Sequence, residues 1–205
     1  MGDTVIVIDF ETTGLYPDRG DRATEVAAVV VENGRVVTRF QSLMNAGVRV
    51  PSFVESLTGI SNEMIRGAPP AADVMRELMR FVGDYSLIAH NASFDRKFLD
   101  AELGKIRLRR KQEFICSMRV ARRVYPLAPS HSLASLVDYV ELVVKRRHHR
   151  ALADAEMTAD LWAKMGSDLM KEYNLRHVPL ELMQRLQAVP KRSVSDFLSR
   201  YAGSR

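Results

Sequence analysis

The residues best suited to chemistry are acids in places where acids are costly. Val5-Ile6-Val7-Ile8 is a short β-branched apolar run, the pattern of a strand buried on both faces, and it runs straight into Asp9-Phe10-Glu11. Side chains two apart on a strand share a face, so Asp9 and Glu11 project together. Adjacent carboxylates repel, and burying them unpaired is expensive. A divalent cation between them removes both penalties, and oxygen-only ligands suit magnesium or manganese. Two solvated acids at a strand end are the plainer alternative. Thr12-Thr13-Gly14 follows at once: small residues over which backbone amides can approach a ligand, or simply a turn.

Two further clusters repeat the theme. His90-Asn91-Ala92-Ser93-Phe94-Asp95 lies between a short apolar strand and an amphipathic helix. A first-turn carboxylate such as Asp95 is favoured by the helix dipole in any case, while a polar pair at a strand end is where an α/β sheet places its ligand crevice. His149-Arg150-Ala151-Leu152-Ala153-Asp154 opens another helix. It reads as a surface basic patch with a first-turn acid, or as a further carboxylate beside an imidazole able to take a proton near neutral pH.

The elements that must position these residues are legible. Val5–Ile8 and Glu25–Val31 are strand-like, and Asn33-Gly34 joins the second to Arg35–Phe40 as a hairpin, so a three-stranded meander enters from the N-terminus. After Pro51 the pattern turns helical, with a short helix beginning at Ser61 and a longer one over Ala71–Val82. Ser86–Ala89 and Phe114–Cys116 are brief strands. Helices are predicted around Phe94–Leu103 and over Ser117–Val124, Ser132–Val140 and Ala151–Met170. Strands first, then alternating helices and strands, give an α/β fold around one mixed sheet. Residues 1–170 form the expected domain, with 171–205 as a helical C-terminal extension punctuated by Pro179 and Pro190.

Composition narrows the class. The 205 residues carry 30 Lys+Arg against 25 Asp+Glu, net +5, with 46% hydrophobic residues, which excludes wholesale disorder. A lone cysteine, Cys116, excludes an internal disulfide framework and a cysteine-clustered zinc site. No run is long enough for a membrane span, so a cytoplasmic location is expected. The basic balance permits an anionic partner such as nucleic acid.

Taken in order, Asp9, Glu11, Asp95, His149 and Asp154 resemble the acid and histidine set of the DnaQ-like 3′–5′ exonucleases of the DEDDh type. Asp9 to Gly14 matches the Asp-x-Glu-Thr-Thr-Gly motif, His90 to Asp95 the His-Asn-Ala-x-Phe-Asp motif, and His149 to Asp154 the His-x4-Asp motif. Leu57-Thr58-Gly59-Ile60 and Gly67-Ala68-Pro69 also look like the branch that includes the proofreading subunit of bacterial DNA polymerase III. The likeness spans roughly residues 4 to 165.

The resemblance implies an RNase H-like exonuclease fold with a mixed central sheet and flanking helices. It further implies that Asp9, Glu11, Asp95 and Asp154 hold two divalent cations, Mg2+ or Mn2+, with His149 as the general base. Thr12, Thr13, Gly14, Leu15, His90, Asn91 and Phe94 would lie against the 3′-terminal nucleotide, and the basic run Lys145 to Arg150 against backbone phosphates. The expected activity is release of nucleoside 5′-monophosphates from the 3′ end of single-stranded DNA, beside a DNA polymerase or another replication or repair partner. An exoribonuclease uses the same residues, since the metals see phosphate and only the 2′-hydroxyl separates the sugars. A phosphatase with Asp9 as nucleophile leaves the second and third clusters unexplained, and a non-catalytic nucleic-acid-binding module would not need the complete set.

Overall fold

The computed structural model describes residues 3–143 and 150–203. β1 (Val5–Thr12), β2 (Ala23–Glu32) and β3 (Arg35–Leu43) form the antiparallel meander, with Asn33 and Gly34 in the left-handed backbone region that their tight turn demands. The chain then runs through α1 (Ser52–Thr58), α2 (Asn62–Gly67) and α3 (Ala71–Val82) to β4 (Leu87–Ala89), which adds parallel to the other edge of β1. α4 (Ser93–Lys105) leads to β5 (Phe114–Cys116), parallel to β4. Among the described residues the strands make one five-stranded mixed sheet in the order β3-β2-β1-β4-β5. α5 (Ser117–Val124), α6 (Leu133–Tyr139), α7 (Ala151–Glu172), α8 (Leu180–Leu186) and α9 (Val194–Gly203) complete the chain.

Strand alternation divides the core in two. Ile6, Ile8 and Phe10 of β1 face α3 and α4, with Val74, Leu78, Leu99 and Leu103 packed against them. Val5 and Val7 point the other way, into a cluster with Ala27, Val29, Trp162 and Met165 under α7. The next odd-numbered positions on β1 are Asp9 and Glu11. The pleat therefore delivers both acids to the α7 face, beyond the end of the apolar stripe.

The sheet also leaves room there. β4 pairs with β1 only at Ile6 and Val7, so the last residues of β1 continue past the end of their parallel neighbour. The gap beyond the C-terminal ends of β1 and β4 is the usual crevice of an open α/β sheet. A register shift between Glu11 and Thr12 then distorts the end of the β1–β2 ladder, where Thr12 still pairs with Ala23.

Helix α1 is absent from the sequence reading, which turns helical after Pro51 but names no helix before Ser61. The reason is its weak amphipathicity: it buries Val54 and Thr58 while Phe53 and Leu57 stay exposed. Leu182, Met183 and Leu186 of α8 and Val194 and Leu198 of α9 join the same apolar cluster as β1 and α7. No helix among the described residues is long and apolar enough to cross a membrane.

Trp162 anchors α7 on the sheet and is fully buried. Trp162→Ala should lower the unfolding free energy by about 3–5 kcal/mol, read from urea denaturation, because the surrounding layers cannot collapse to fill the space.

Candidate active site

Asp9 and Glu11 meet Asp154, from the first turn of α7, with one ligand oxygen from each within 4.8 Å of the others. Asp95 approaches from the other side. It lies in the first turn of α4, is 2% exposed, and accepts hydrogen bonds from its own amide and from that of Phe10. The overhang of β1 past β4 leaves the Phe10 amide for this carboxylate. Strand pleat, sheet gap and two helix N-termini together converge the acids that the sequence separates by as much as Asp9 to Asp154.

Their electrostatics favour a cation. Burial, then Asp95, Asp154 and Glu11, hold the Asp9 carboxyl well above its ordinary range. Glu11 is pushed up to about 8 by burial and by Asp154 and Glu25, against a partial offset from Arg150. Burial raises Asp95 to about 7, opposed by its two amide donors. Oxygen-only donors, convergence within 4.8 Å and mutual repulsion fit a hard divalent cation.

Glu25 is the residue that sequence reasoning missed. It sits opposite Glu11 on β2, fully buried. Arg150 grips its carboxylate through Nη2 at 2.7 Å and Nε at 3.1 Å, while Gln41 Nε2 donates at 2.8 Å. The Ala151 amide also donates to Glu25, at 3.1 Å, which caps a helix whose own N-cap residue supplies no side-chain acceptor. Glu25 thus ties the start of α7, and with it Asp154, to the strand carrying Glu11. The signal was available: a carboxylate inside an apolar strand must have a committed partner.

The Thr12–Leu15 segment is built by local hydrogen bonds. Thr12 Oγ1 donates to the Gly14 carbonyl at 2.6 Å, and the Thr13 hydroxyl accepts from the Arg22 amide at 3.0 Å. Arg22 is fixed in turn by paired contacts of 2.7 and 2.8 Å to the buried Glu102 of α4. A Cβ on Gly14 would lie 2.4 Å from Asp21 Oδ2, and the same oxygen accepts from the Tyr16 amide at 2.9 Å. That close approach is what demands glycine. Leu15 is 58% exposed, and Lys97 of α4 donates to its carbonyl.

The His90–Asp95 segment divides its roles. His90 has both ring nitrogens engaged within the protein: Nδ1 with Ser117 Oγ at 2.9 Å and Nε2 with the His131 carbonyl at 2.9 Å. Burial lowers its pKa, so the neutral ring braces the end of β4 against α5 rather than offering a nitrogen to a ligand. Asn91 is exposed with φ of 69°, and its carbonyl accepts from the Phe94 amide at 2.8 Å. Phe94 is half-buried against Phe98, ring centroids 5.0 Å apart. His149 and Lys145 to Arg147 lie outside the described residues.

The family model for exonucleases, RNase_T, matches residues 6–162, so the chain belongs to that exonuclease family. It is 34% identical over 195 residues to the 3′-5′ exonuclease DinG of Bacillus subtilis, covering 93% of this chain and 20% of DinG. It is 37% identical over 175 residues to the PolC-type DNA polymerase III of Halalkalibacterium halodurans, covering 84% of this chain and 12% of the polymerase. The chain thus spans a fifth or less of these relatives' length. Among solved structures, exonuclease X in complex with 5′ overhanging duplex DNA superposes with a TM-score of 0.71 at 28% identity, covering 89% of this chain and 99% of that one. The nuclease domain of 3′hExo, a DEDDh family member bound to rAMP, shares the fold, with a TM-score of 0.72 at 21% identity over 87% and 97% of the two chains. The mixed α/β architecture is that of these RNase H-like exonucleases.

The raised carboxyls make a pH-dependent prediction. A carboxyl whose folded pKa exceeds its unfolded value binds protons more tightly when folded, so it costs stability as pH rises through that window. For Glu11 the window runs from 4.5 to about 8. A bound cation should cancel this cost, so the rise in Tm on adding Mn2+ should be large at pH 8 and small at pH 5. An equal shift at both pH values, measured by differential scanning fluorimetry with Glu11→Gln as control, would contradict the arrangement.

Proposed function

We propose that this chain is a metal-dependent 3′–5′ exonuclease acting on single-stranded DNA. The observation that carries the reading is the convergence of Asp9, Glu11 and Asp154 at the strand end of an exonuclease fold, with Asp95 held beside Asp9. The names of the relatives, a PolC-type DNA polymerase III and the exonuclease DinG, favour DNA over RNA, as does the DNA complex of exonuclease X. They also suggest a polymerase or another replication or repair assembly as the setting. Residues 1–170 would carry the activity and 171–205 would extend it.

In this reading Asp9, Glu11 and Asp154 hold two divalent ions, Mg2+ or Mn2+, and Asp95 supports them from beside Asp9. Those ions, when bound, supply the positive charge that lowers the pKa of a water and stabilises charge on the phosphoryl oxygens. The chain's own residues do the rest. His149 takes the proton of the attacking water. The hydrogen-bonded segment Thr12-Thr13-Gly14 presents backbone groups to the terminal nucleotide. Leu15, exposed at its tip, offers an apolar surface to a base, with Asn91 in the turn before α4 and Phe94 on that helix. His90 positions the strand end through Ser117 and His131. Attack expels the 3′-hydroxyl of the shortened strand and releases a nucleoside 5′-monophosphate.

The test is a cleavage assay on 5′-labelled single-stranded DNA and RNA of matched sequence with Mg2+ or Mn2+. A ladder shortening from the 3′ end is expected, faster on DNA and absent with Asp9→Ala. His149→Ala should lower kcat by about 10²–10⁴-fold while metal affinity stays close to wild type. Normal cleavage by Asp9→Ala would overturn the reading, and faster trimming of RNA would replace DNA with RNA as the substrate.

A further inference from the structure

A second concavity opens between the start of α4 and α5. It is a groove of about 390 Å³ lined by Asn91, Ser93, Arg96, Arg119, Arg122 and Gln187. Asn91 and Ser93 belong to the same segment that carries Asp95, so the groove begins where the acidic site ends. On α4, Lys97 reaches instead to Phe94, to the Tyr16 ring and to the Leu15 carbonyl. Phe114 and Met118 supply an apolar lining.

The charge in this groove is unbalanced. Among the described residues, Arg96, Arg119 and Arg122 have no carboxylate within ion-pair distance, whereas Arg22, Arg39, Arg110 and Arg150 each do. Burial, and then the neighbouring charges of Arg119 and Arg122, lower the Arg123 pKa. Arg122 is half-buried, contacts Met118 Sδ at 3.7 Å, and lies near enough to His90 to act on it electrostatically. Clustered, unpaired guanidinium groups around a concavity are the geometry that takes phosphate oxygens, often two donors at a time.

The C-terminal extension builds one wall. Gln187, just after α8, accepts the Cys116 amide through Oε1 at 3.0 Å, and Arg123 Nε donates to the Val189 carbonyl at 2.9 Å. These contacts hold 187–189 beside α5 and complete the groove.

We propose that this groove carries the phosphate backbone of the single strand on the 5′ side of the bond being cleaved, with Arg96, Arg119 and Arg122 as its phosphate ligands. The proposal rests on the exonuclease reading, which puts the terminal nucleotide on the Thr12–Leu15 side of the acids and leaves the rest of the strand to exit past Asn91. It gives the extension a function in substrate binding. It also separates two tasks: the acids act on one phosphodiester, while the arginines set how firmly a long strand is held.

Binding can be read without cleavage by fluorescence anisotropy of 5′-fluorescein-labelled dT12 in EDTA across a KCl series. Arg119→Glu and Arg96→Glu should each weaken binding about tenfold or more at moderate salt. Each should also flatten the slope of log K against log salt by about 0.7 for every phosphate that the variant no longer neutralises. Affinity and slope within twofold of wild type in both variants would overturn the groove. Wild-type cleavage of the same oligonucleotide in Mg2+ tests the underlying activity separately. Weakened binding without any wild-type cleavage would keep the groove and remove the exonuclease, and intact cleavage with unchanged binding would do the reverse.

Discussion

Burial of carboxylates beside one another is the constraint around which this molecule is arranged. Asp9, Glu11 and Asp95 each hold their protons more tightly than a solvated acid would: Asp9 and Glu11 through burial and the neighbouring acids, Asp154 among them, and Asp95 through burial. Favourable charge reaching Glu11 from the described residues comes from Arg150, and that guanidinium is already gripped by Glu25. Such a cluster persists only because larger forces impose it. Apolar burial on both faces of β1 fixes the pleat that aims Asp9 and Glu11, and the Glu25 clamp and the packing of Trp162 hold α7 where Asp154 meets them. The fold stores an electrostatic cost at one point, and a cation is the simplest means of relieving it.

Around that point the supports are layered. The bidentate Arg22–Glu102 pair joins the start of β2 to α4 and holds Thr13 through the Arg22 amide. His90 joins the end of β4 to α5 and to the segment before α6. Neither pair is aimed into the crevice. Each instead fixes the backbone on one side of it, so that the loop carrying Leu15 and the turn carrying Asn91 are set by contacts made elsewhere. Preorganisation of this kind lets a site act without rearranging first.

Much of this was legible in the sequence because its signals are local. An apolar run ending in Asp-Phe-Glu, an Asn-Gly turn and first-turn acids depend on neighbours within a few residues, and β1, the hairpin, α4 and α7 follow them. What escaped depends on distant partners. Glu25 reads as a polar interruption of an apolar strand, and only the sheet register and Arg150, 125 residues away, make it a clamp. His90 looks like a ligand beside Asn91, and its commitment to Ser117 and His131 needs the turn of the chain into α5. Arg96, Arg119 and Arg122 are scattered along two helices with no shared pattern, so their convergence is a property of packing alone. Helix α1 was invisible because half its apolar residues face solvent.

The central claim is that the acids at the end of β1 form a divalent-metal centre. Crystals of the protein grown with Mn2+ and a nucleoside 5′-monophosphate, measured at the manganese absorption edge, test it most directly. Anomalous density between Asp9, Glu11 and Asp154, with the nucleotide phosphate against it, is the predicted result. Manganese found only elsewhere, with these carboxylates unliganded while the crystal contains the ion in excess, would contradict it.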